Sequence, residues 1–256
     1  GSKLKIIPYI LETIKGLKIK TVLDGFSGTT RVSQAFAQVG YDVTANDLAY
    51  WSEVFGKCYL LHNKDKKYYQ NIIDDLNTVK GYDGWFTEHY GGDDGMTVKM
   101  PFQKKNTRKL DAIRDRIDEL NLNDIDKAVV LTSLILALDA VDSTLGHFVS
   151  YLSKWSSRSY KDLLLKVPNL INTEGNHRVL RDDIFSTLKK TDNLFDLAYF
   201  DPPYGSNNEK MPPSRVRYSS YYHIWTTVVK NDRPKLFGKV NRREDTRDLI
   251  AGSVFE

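Results

Sequence analysis

Apolar residues follow two periodicities along this chain, and the change from one to the other marks its organisation. Leu4, Ile7, Ile10, Leu11 and Ile14 recur at helical spacing and stop at Gly16, which predicts a leading helix. Thr21-Val22-Leu23-Asp24 is a β-branched and aliphatic run closed by Gly25-Phe26-Ser27-Gly28, after which Val32, Ala35, Phe36 and Val39 stand at i, i+3, i+4 and i+7 up to Gly40. Strand, glycine turn and helix are predicted, then a second strand over Tyr41 to Ala45 that closes at Asn46-Asp47. From about Trp51 to Pro168 the pattern is mostly helical, broken at Gly91-Gly92-Asp93-Asp94-Gly95, and Ala128 to Leu138 reads as a buried helix. Strand character resumes at His177 to Leu180, a short helix covers Asp183 to Lys190, and a strong strand over Phe195 to Phe200 runs into Asp201-Pro202-Pro203-Tyr204. This is the layout of an α/β domain with a parallel sheet, a helical insertion within it and ligand sites at the strand ends.

Composition narrows the picture. With 41% hydrophobic and 27% charged residues, the 256-residue chain has enough apolar matter for a sizeable core, which excludes disorder. A single cysteine, Cys58, excludes a disulfide scaffold or a multi-thiolate cluster. The five histidines, His62, His89, His147, His177 and His223, are scattered without i, i+4 pairing, so no metal is expected. The apolar run to Leu138 falls short of the roughly 18 residues of a membrane span, and no membrane partner is expected. A reduced, cytoplasmic protein is the default reading. Gly1-Ser2 reads either as a tag remnant or as native sequence.

The 37 Lys plus Arg only slightly exceed the 33 Asp plus Glu, but they are clustered. Lys99, Lys104, Lys105, Arg108, Lys109, Arg114 and Arg116 face only Asp111 and Asp115 within their stretch. Further on, Lys210, Arg215, Arg217, Lys230, Arg233, Lys235, Lys239, Arg242 and Arg243 face only Asp232. Such clusters form solvated faces as well as polyanion sites, and two of them bring nucleic acid into consideration.

The first glycine turn has an acid 19 positions beyond Gly28, at Asp47, the arrangement in which a carboxylate accepts hydrogen bonds from the ribose of an adenosine cofactor. Neither the full G-x-G-x-x-G nor the lysine of a phosphate-binding loop is present, which suits a cofactor without phosphates such as S-adenosylmethionine. The same residues also fit a plain strand-to-helix turn ending in an acid.

Asp201-Pro202-Pro203-Tyr204 carries more. A proline-rich turn would explain the prolines but not the flanking acid and aromatic. The nitrogen lone pair of a nucleobase amino group is delocalised into the ring, and a carboxylate at Asp201 with the carbonyl of Pro202 suits holding its two hydrogens so that the pair can attack a methylsulfonium. Consecutive prolines restrict φ and remove competing donors, and Tyr204 suits stacking on a base flipped from the duplex.

On these residues the chain resembles the D12-class DNA adenine-N6 methyltransferases of bacterial restriction-modification systems, in the order that family uses and over nearly its whole length. Gly1 to Pro8, with Ser2 and Lys3, is similar to the family's N-terminal cofactor motif. Asp24-Gly25-Phe26-Ser27-Gly28-Thr29-Thr30 is similar to its F-x-G-x-G motif, with Thr30 in place of the last glycine. Asn46-Asp47 matches the ribose-binding acid, Asp183-Ile184-Phe185 the motif that holds the cofactor adenine, and Asp201 to Tyr204 the catalytic tetrad. Tyr221-Tyr222-His223-Ile224-Trp225 resembles the segment that follows it.

The resemblance implies a Rossmann-like sheet that binds S-adenosylmethionine, releases S-adenosylhomocysteine and transfers methyl to N6 of a flipped adenine in duplex DNA. Residues 1–50 and 177–256 are the expected halves of the catalytic domain, and residues 51–176 a mostly helical target-recognition insertion. Lys99, Lys104, Lys105, Arg108, Lys109, Lys154, Arg215, Arg217 and His223 are candidate DNA contacts, with packing the other reading for His223. The implied setting is the bacterial cytoplasm with a cognate restriction endonuclease. Family members continue past the tetrad with further strands, so a missing C-terminal segment or a second polypeptide completing the sheet is also expected. The competing readings are N4-cytosine or RNA amino methylation, C5-cytosine methylation through Cys58, and a non-catalytic sequence-specific DNA-binding protein on the same scaffold.

Overall fold

Strands buried on both faces need uninterrupted apolar runs, and Val22, Leu23, Val43 and Ala45 supply them, all fully buried. The computed structural model describes residues 3–96, 98–190, 195–202 and 218–246. Numbered along the chain, β1 (Thr21–Asp24), β2 (Asp42–Asn46), β5 (Arg178–Leu180) and β6 (Leu197–Tyr199) form a four-stranded parallel sheet in the order β5-β2-β1-β6. Leu23 pairs with Thr44 on one side and Ala198 on the other. This is a mixed α/β fold built on a parallel sheet, as the alternation of periodicities implied.

The helices of this unit are α1 (Ile7–Ile14), α2 (Arg31–Gln38), α3 (Tyr50–Leu60) and α8 (Ile184–Lys190). Pro8 sits in the first turn of α1, where its missing N–H costs nothing, and Gly16 leaves the helix at φ +85°. Ile14, Val22, Val32, Phe36, Val43 and Leu60 form the core, in which burying Phe36 contributes about 2–3 kcal/mol. The predicted last strand is trimmed to Leu197–Tyr199 because the Asp196 carboxylate turns back to accept the backbone N–H groups of Lys20 and Thr21, both at 2.8 Å. The predicted helix at Asp183 starts at Ile184, since Asp183 caps it through the N–H groups of Phe185 and Ser186 at 3.0 and 3.2 Å.

The chain divides into two compact units. The first comprises Gly1–Asn63, Asp124–Val129 and Asn169–Pro202. α3 belongs to it, and a Cβ on Gly56 would stand only 2.7 Å from Val179 of β5. The second comprises Lys64–Asn123, Val130–Pro168 and Pro203–Glu256. Its elements are α4 (Lys66–Thr78), α5 (Trp85–Tyr90), β3 (Gly91–Gly92), β4 (Phe102–Gln103), α6 (Lys104–Glu119), most of α7 (Asp124–Asp139), α9 (Tyr218–Tyr221), α10 (His223–Lys230), β7 (Leu236–Phe237) and β8 (Arg242–Arg243).

In α6, Leu110, Ile113 and Ile117 bury one stripe while two charges on the same helix serve its neighbours. The buried Asp111 carboxylate accepts from the N–H groups of Phe86 and Thr87 at 2.8 and 2.9 Å and from the Thr87 hydroxyl at 2.6 Å, capping α5. Arg114, 1% exposed, donates to the carbonyls of Val228 and Val229 at the end of α10. No helix among the described residues is long and apolar enough to cross a membrane.

Candidate active site

Strand order reverses at β1, which has β2 on one side and the much later β6 on the other. In open parallel sheets the crevice at the carboxyl ends of two such strands is where ligands bind, because the following loops diverge there. Here those ends are Asp24-Gly25 after β1 and Phe200-Asp201 after β6. Gly25 donates its N–H to Tyr199 O at 2.9 Å, and a Cβ on it would lie 2.6 Å from the Phe200 ring and 3.0 Å from Ile184. Only glycine allows this approach. Phe26 stands edge-on to Phe200, with ring centroids 6.3 Å apart.

The turn beyond is tied by side chains. Gly28 N–H donates to Asp47 Oδ2 at 2.9 Å, Ala49 N–H to Asp47 Oδ1 at 2.9 Å, and the Ser52 hydroxyl to Gly28 O at 2.6 Å. Thr30, where the resembling motif has glycine, adopts a left-handed φ of 60° and is held by Gln34 Nε2 at 3.0 Å. The strain costs about 1 kcal/mol. Asn46, which sequence reasoning took only as the neighbour of Asp47, joins three segments. Its amide donates to Gly25 O and Asp182 O at 3.3 and 3.1 Å, and its oxygen accepts from the Thr187 hydroxyl at 3.0 Å.

Asp24 is 1% exposed. Its Oδ2 accepts the Ser33 hydroxyl at 2.6 Å, while Oδ1 is buried with no hydrogen-bond partner. Burial, reinforced by the charge of Asp47 and opposed by the Ser33 bond, pushes its pKa up to about 7. Burial likewise raises Asp47 above the usual carboxylate range. A buried carboxyl with an unused oxygen fits a cofactor that brings a positive charge or a donor to the site. At the end of β6, Lys3 Nζ stands 2.6 Å from Asp201 Oδ2, so an ammonium rests on the carboxylate expected to receive an amino group. Ile184 is buried and Pro202 half-buried. Among the described residues no cluster of His, Cys, Asp and Glu is arranged to hold a metal.

Thus Lys3, Asp24, Phe26, Ser27, Gly28, Thr29, Thr30, Asp47, Asp183, Ile184, Asp201 and Pro202 all lie in the sheet unit. Ser2, Pro203, Tyr204, Arg215 and Arg217 lie outside the described residues. Of the candidate DNA contacts, Lys99 and Lys154 are exposed, Lys104 and Arg108 lie 3.9 and 3.1 Å from Asp83, and Lys105 lies 2.6 Å from Asp162. Lys109 donates to Asn77 O at 2.8 Å and to Val79 O, ending α4. His223 is corrected to a packing residue: it is fully buried, bonded to Phe148 O at 3.2 Å, and burial drops its pKa to about 3, so it offers neither charge nor surface to a phosphate.

Comparison with known proteins gives the relatives of this chain. The modification methylase LlaI of Lactococcus lactis subsp. lactis is 27% identical over 95% of this chain and 40% of its own length. Type II methyltransferase M.FokI of Planomicrobium okeanokoites is 26% identical over 95% of this chain and 38% of its own. Type II methyltransferase M.NlaIII of Neisseria lactamica is 27% identical over 96% of this chain and 73% of its own. The chain therefore spans about two fifths of the length of the first two relatives. No solved structure matches it. The family profile described as D12 class N6 adenine-specific DNA methyltransferase matches residues 1–244, and the chain belongs to that family.

Proposed function

We propose that this chain transfers methyl from S-adenosylmethionine to N6 of an adenine flipped out of duplex DNA, as the modification half of a restriction-modification system. The observation that carries the reading is the meeting, at the strand-order reversal, of the Asp24-Gly25 turn with Phe200-Asp201. When bound, the cofactor supplies an electrophilic methyl. Asp47 would hold its ribose, Asp183 and Ile184 its adenine, and the unused Asp24 Oδ1 would accept from its polar end.

Asp201 accepts one hydrogen of the target amino group and the Pro202 carbonyl the other, which holds the nitrogen pyramidal with its lone pair toward the methyl. The nitrogen would take the methyl as the methyl–sulfur bond breaks, leaving S-adenosylhomocysteine, and its extra proton would pass to solvent. Lys3, whose ammonium rests on Asp201, must give it up as the amine arrives. Target recognition falls to the helical segment between the two halves of the sheet unit. We read the outer edge of β6, which has no partner strand among the described residues, as the place where the sheet continues.

Transfer of tritium from labelled cofactor to duplex DNA tests the reading. Asp201→Ala should lower it by about 10²–10³-fold while cofactor affinity by calorimetry stays near the wild-type value. Wild-type transfer by that variant would overturn the mechanism.

A further inference from the structure

The basic residues of the second unit separate into two groups once their partners are known. Those of α6 are largely committed: Lys104 and Arg108 to Asp83, Lys105 to Asp162, Arg116 to Asp75, and Lys109 and Arg114 to the carbonyl ends of other helices. The β7–β8 hairpin differs. Buried Arg243 is held by Asp232 and Asp245, and Lys230 also pairs with Asp232 at 2.7 Å. Arg233, Lys235, Lys239 and Arg242 have no ion pair among the described residues, and the first three are exposed. The exposed acid beside them whose charge is not taken up by Arg243 or Lys230 is Glu244.

The hairpin turn that carries Lys239 and leads into Arg242 is fixed in advance. Buried Tyr90 donates its hydroxyl to Asn241 O at 2.8 Å, buried Tyr151 donates to Val240 O at 2.7 Å, and Asn241 Nδ2 donates to His89 O at 2.7 Å. Gly238 and Asn241 take the left-handed φ values of 72° and 51° that the four-residue turn needs, which glycine and asparagine tolerate best. Arg242 lies 4.8 Å over the Phe237 ring. Cations on a loop already ordered lose less conformational freedom when they meet an anion than cations on a mobile one.

We propose that the β7–β8 hairpin is a phosphate-contact element, with Lys235, Lys239 and Arg242 meeting the backbone of duplex DNA. The proposal rests on the DNA-methyltransferase reading and, of the two basic stretches of the sequence, places the backbone contact on the second, at the hairpin, instead of on α6. Phosphate contacts fix register and carry no base information, so the effect is the same on every duplex.

Fluorescence anisotropy of labelled duplexes of two unrelated sequences, titrated across salt, tests it. The wild-type protein is compared with the Lys235→Ala/Lys239→Ala double variant and with Tyr151→Phe. The double variant should bind both duplexes at least about tenfold more weakly, with the slope of log affinity against log salt smaller by about two units. Tyr151→Phe leaves the cations in place but frees the loop, so affinity should fall about two- to fivefold at an unchanged slope. A double variant that binds with the wild-type slope overturns the hairpin contact alone, and wild-type affinity in Tyr151→Phe overturns the role of the pins. A wild-type protein without salt-dependent duplex binding overturns both this inference and the methyltransferase reading.

Discussion

Replacing Asp24 by Asn tests the electrostatic account of the cofactor turn. Asp24 is fully enclosed, has one unused oxygen, and titrates near pH 7 instead of 3.8. Its folded pKa lies above its unfolded value, so the folded chain binds the extra proton. Its stabilising effect is therefore full below about pH 4 and is lost as pH rises through 7. A shift of about three units corresponds to about 4 kcal/mol over the whole window, of which about 3 kcal/mol falls between pH 5 and pH 8. Asn keeps the acceptor for Ser33 and removes the titration, though its buried amide, lacking a partner, costs about 1–3 kcal/mol at every pH. The variant should therefore be the less stable protein at pH 5 and gain about 3 kcal/mol relative to wild type by pH 8. Urea unfolding read by hydrogen exchange at the β1 amides follows the sheet unit directly. A stability difference constant within about 0.5 kcal/mol across that range would refute the reasoning, since it would mean Asp24 is ionised throughout.

Three further outcomes follow from the same contacts. Asp111→Ala leaves the N–H groups of Phe86 and Thr87 without their acceptor inside the second unit, so urea unfolding should show a loss of about 2–4 kcal/mol; a loss below 1 kcal/mol would contradict its capping role. His223, with its pKa near 3, should show no imidazole titration by NMR between pH 5 and 8. Asp47→Ala releases the Gly28 and Ala49 amides and the proposed ribose contact together. Calorimetry should show cofactor affinity down at least about tenfold, and unchanged affinity would count against the site.

The parts of the site that were legible lie on consecutive residues. The Thr21–Asp24 strand, its glycine turn and the amphipathic α2 announce themselves by periodicity, and Asp201-Pro202 by a composition that a simple turn does not need. Contacts between distant segments were not legible. Nothing in the local pattern marks Asn46 as the residue that ties Gly25, Asp182 and Thr187 together, or Ser33 as the partner of Asp24. Charge counting along Lys99 to Arg116 overstated that stretch because its neutralising acids, Asp75, Asp83 and Asp162, lie outside the window. His223 was ambiguous because a histidine near a proposed catalytic segment has the same letter whether exposed or enclosed by Phe148 and Tyr90. Element ends shifted by one or two residues where carboxylates took backbone N–H groups, Asp183 at the start of α8 and Asp196 ahead of β6.

The central claim is that the Asp201 end of β6 presents an exocyclic adenine amine to a methyl donor. It is tested most directly by incubating the protein with mixed-sequence duplex DNA and labelled S-adenosylmethionine, digesting the product and separating the nucleosides. The account predicts label in N6-methyldeoxyadenosine, dependent on Asp201. Label in a methylated cytosine instead, or equal N6 labelling by Asp201→Ala, would contradict it.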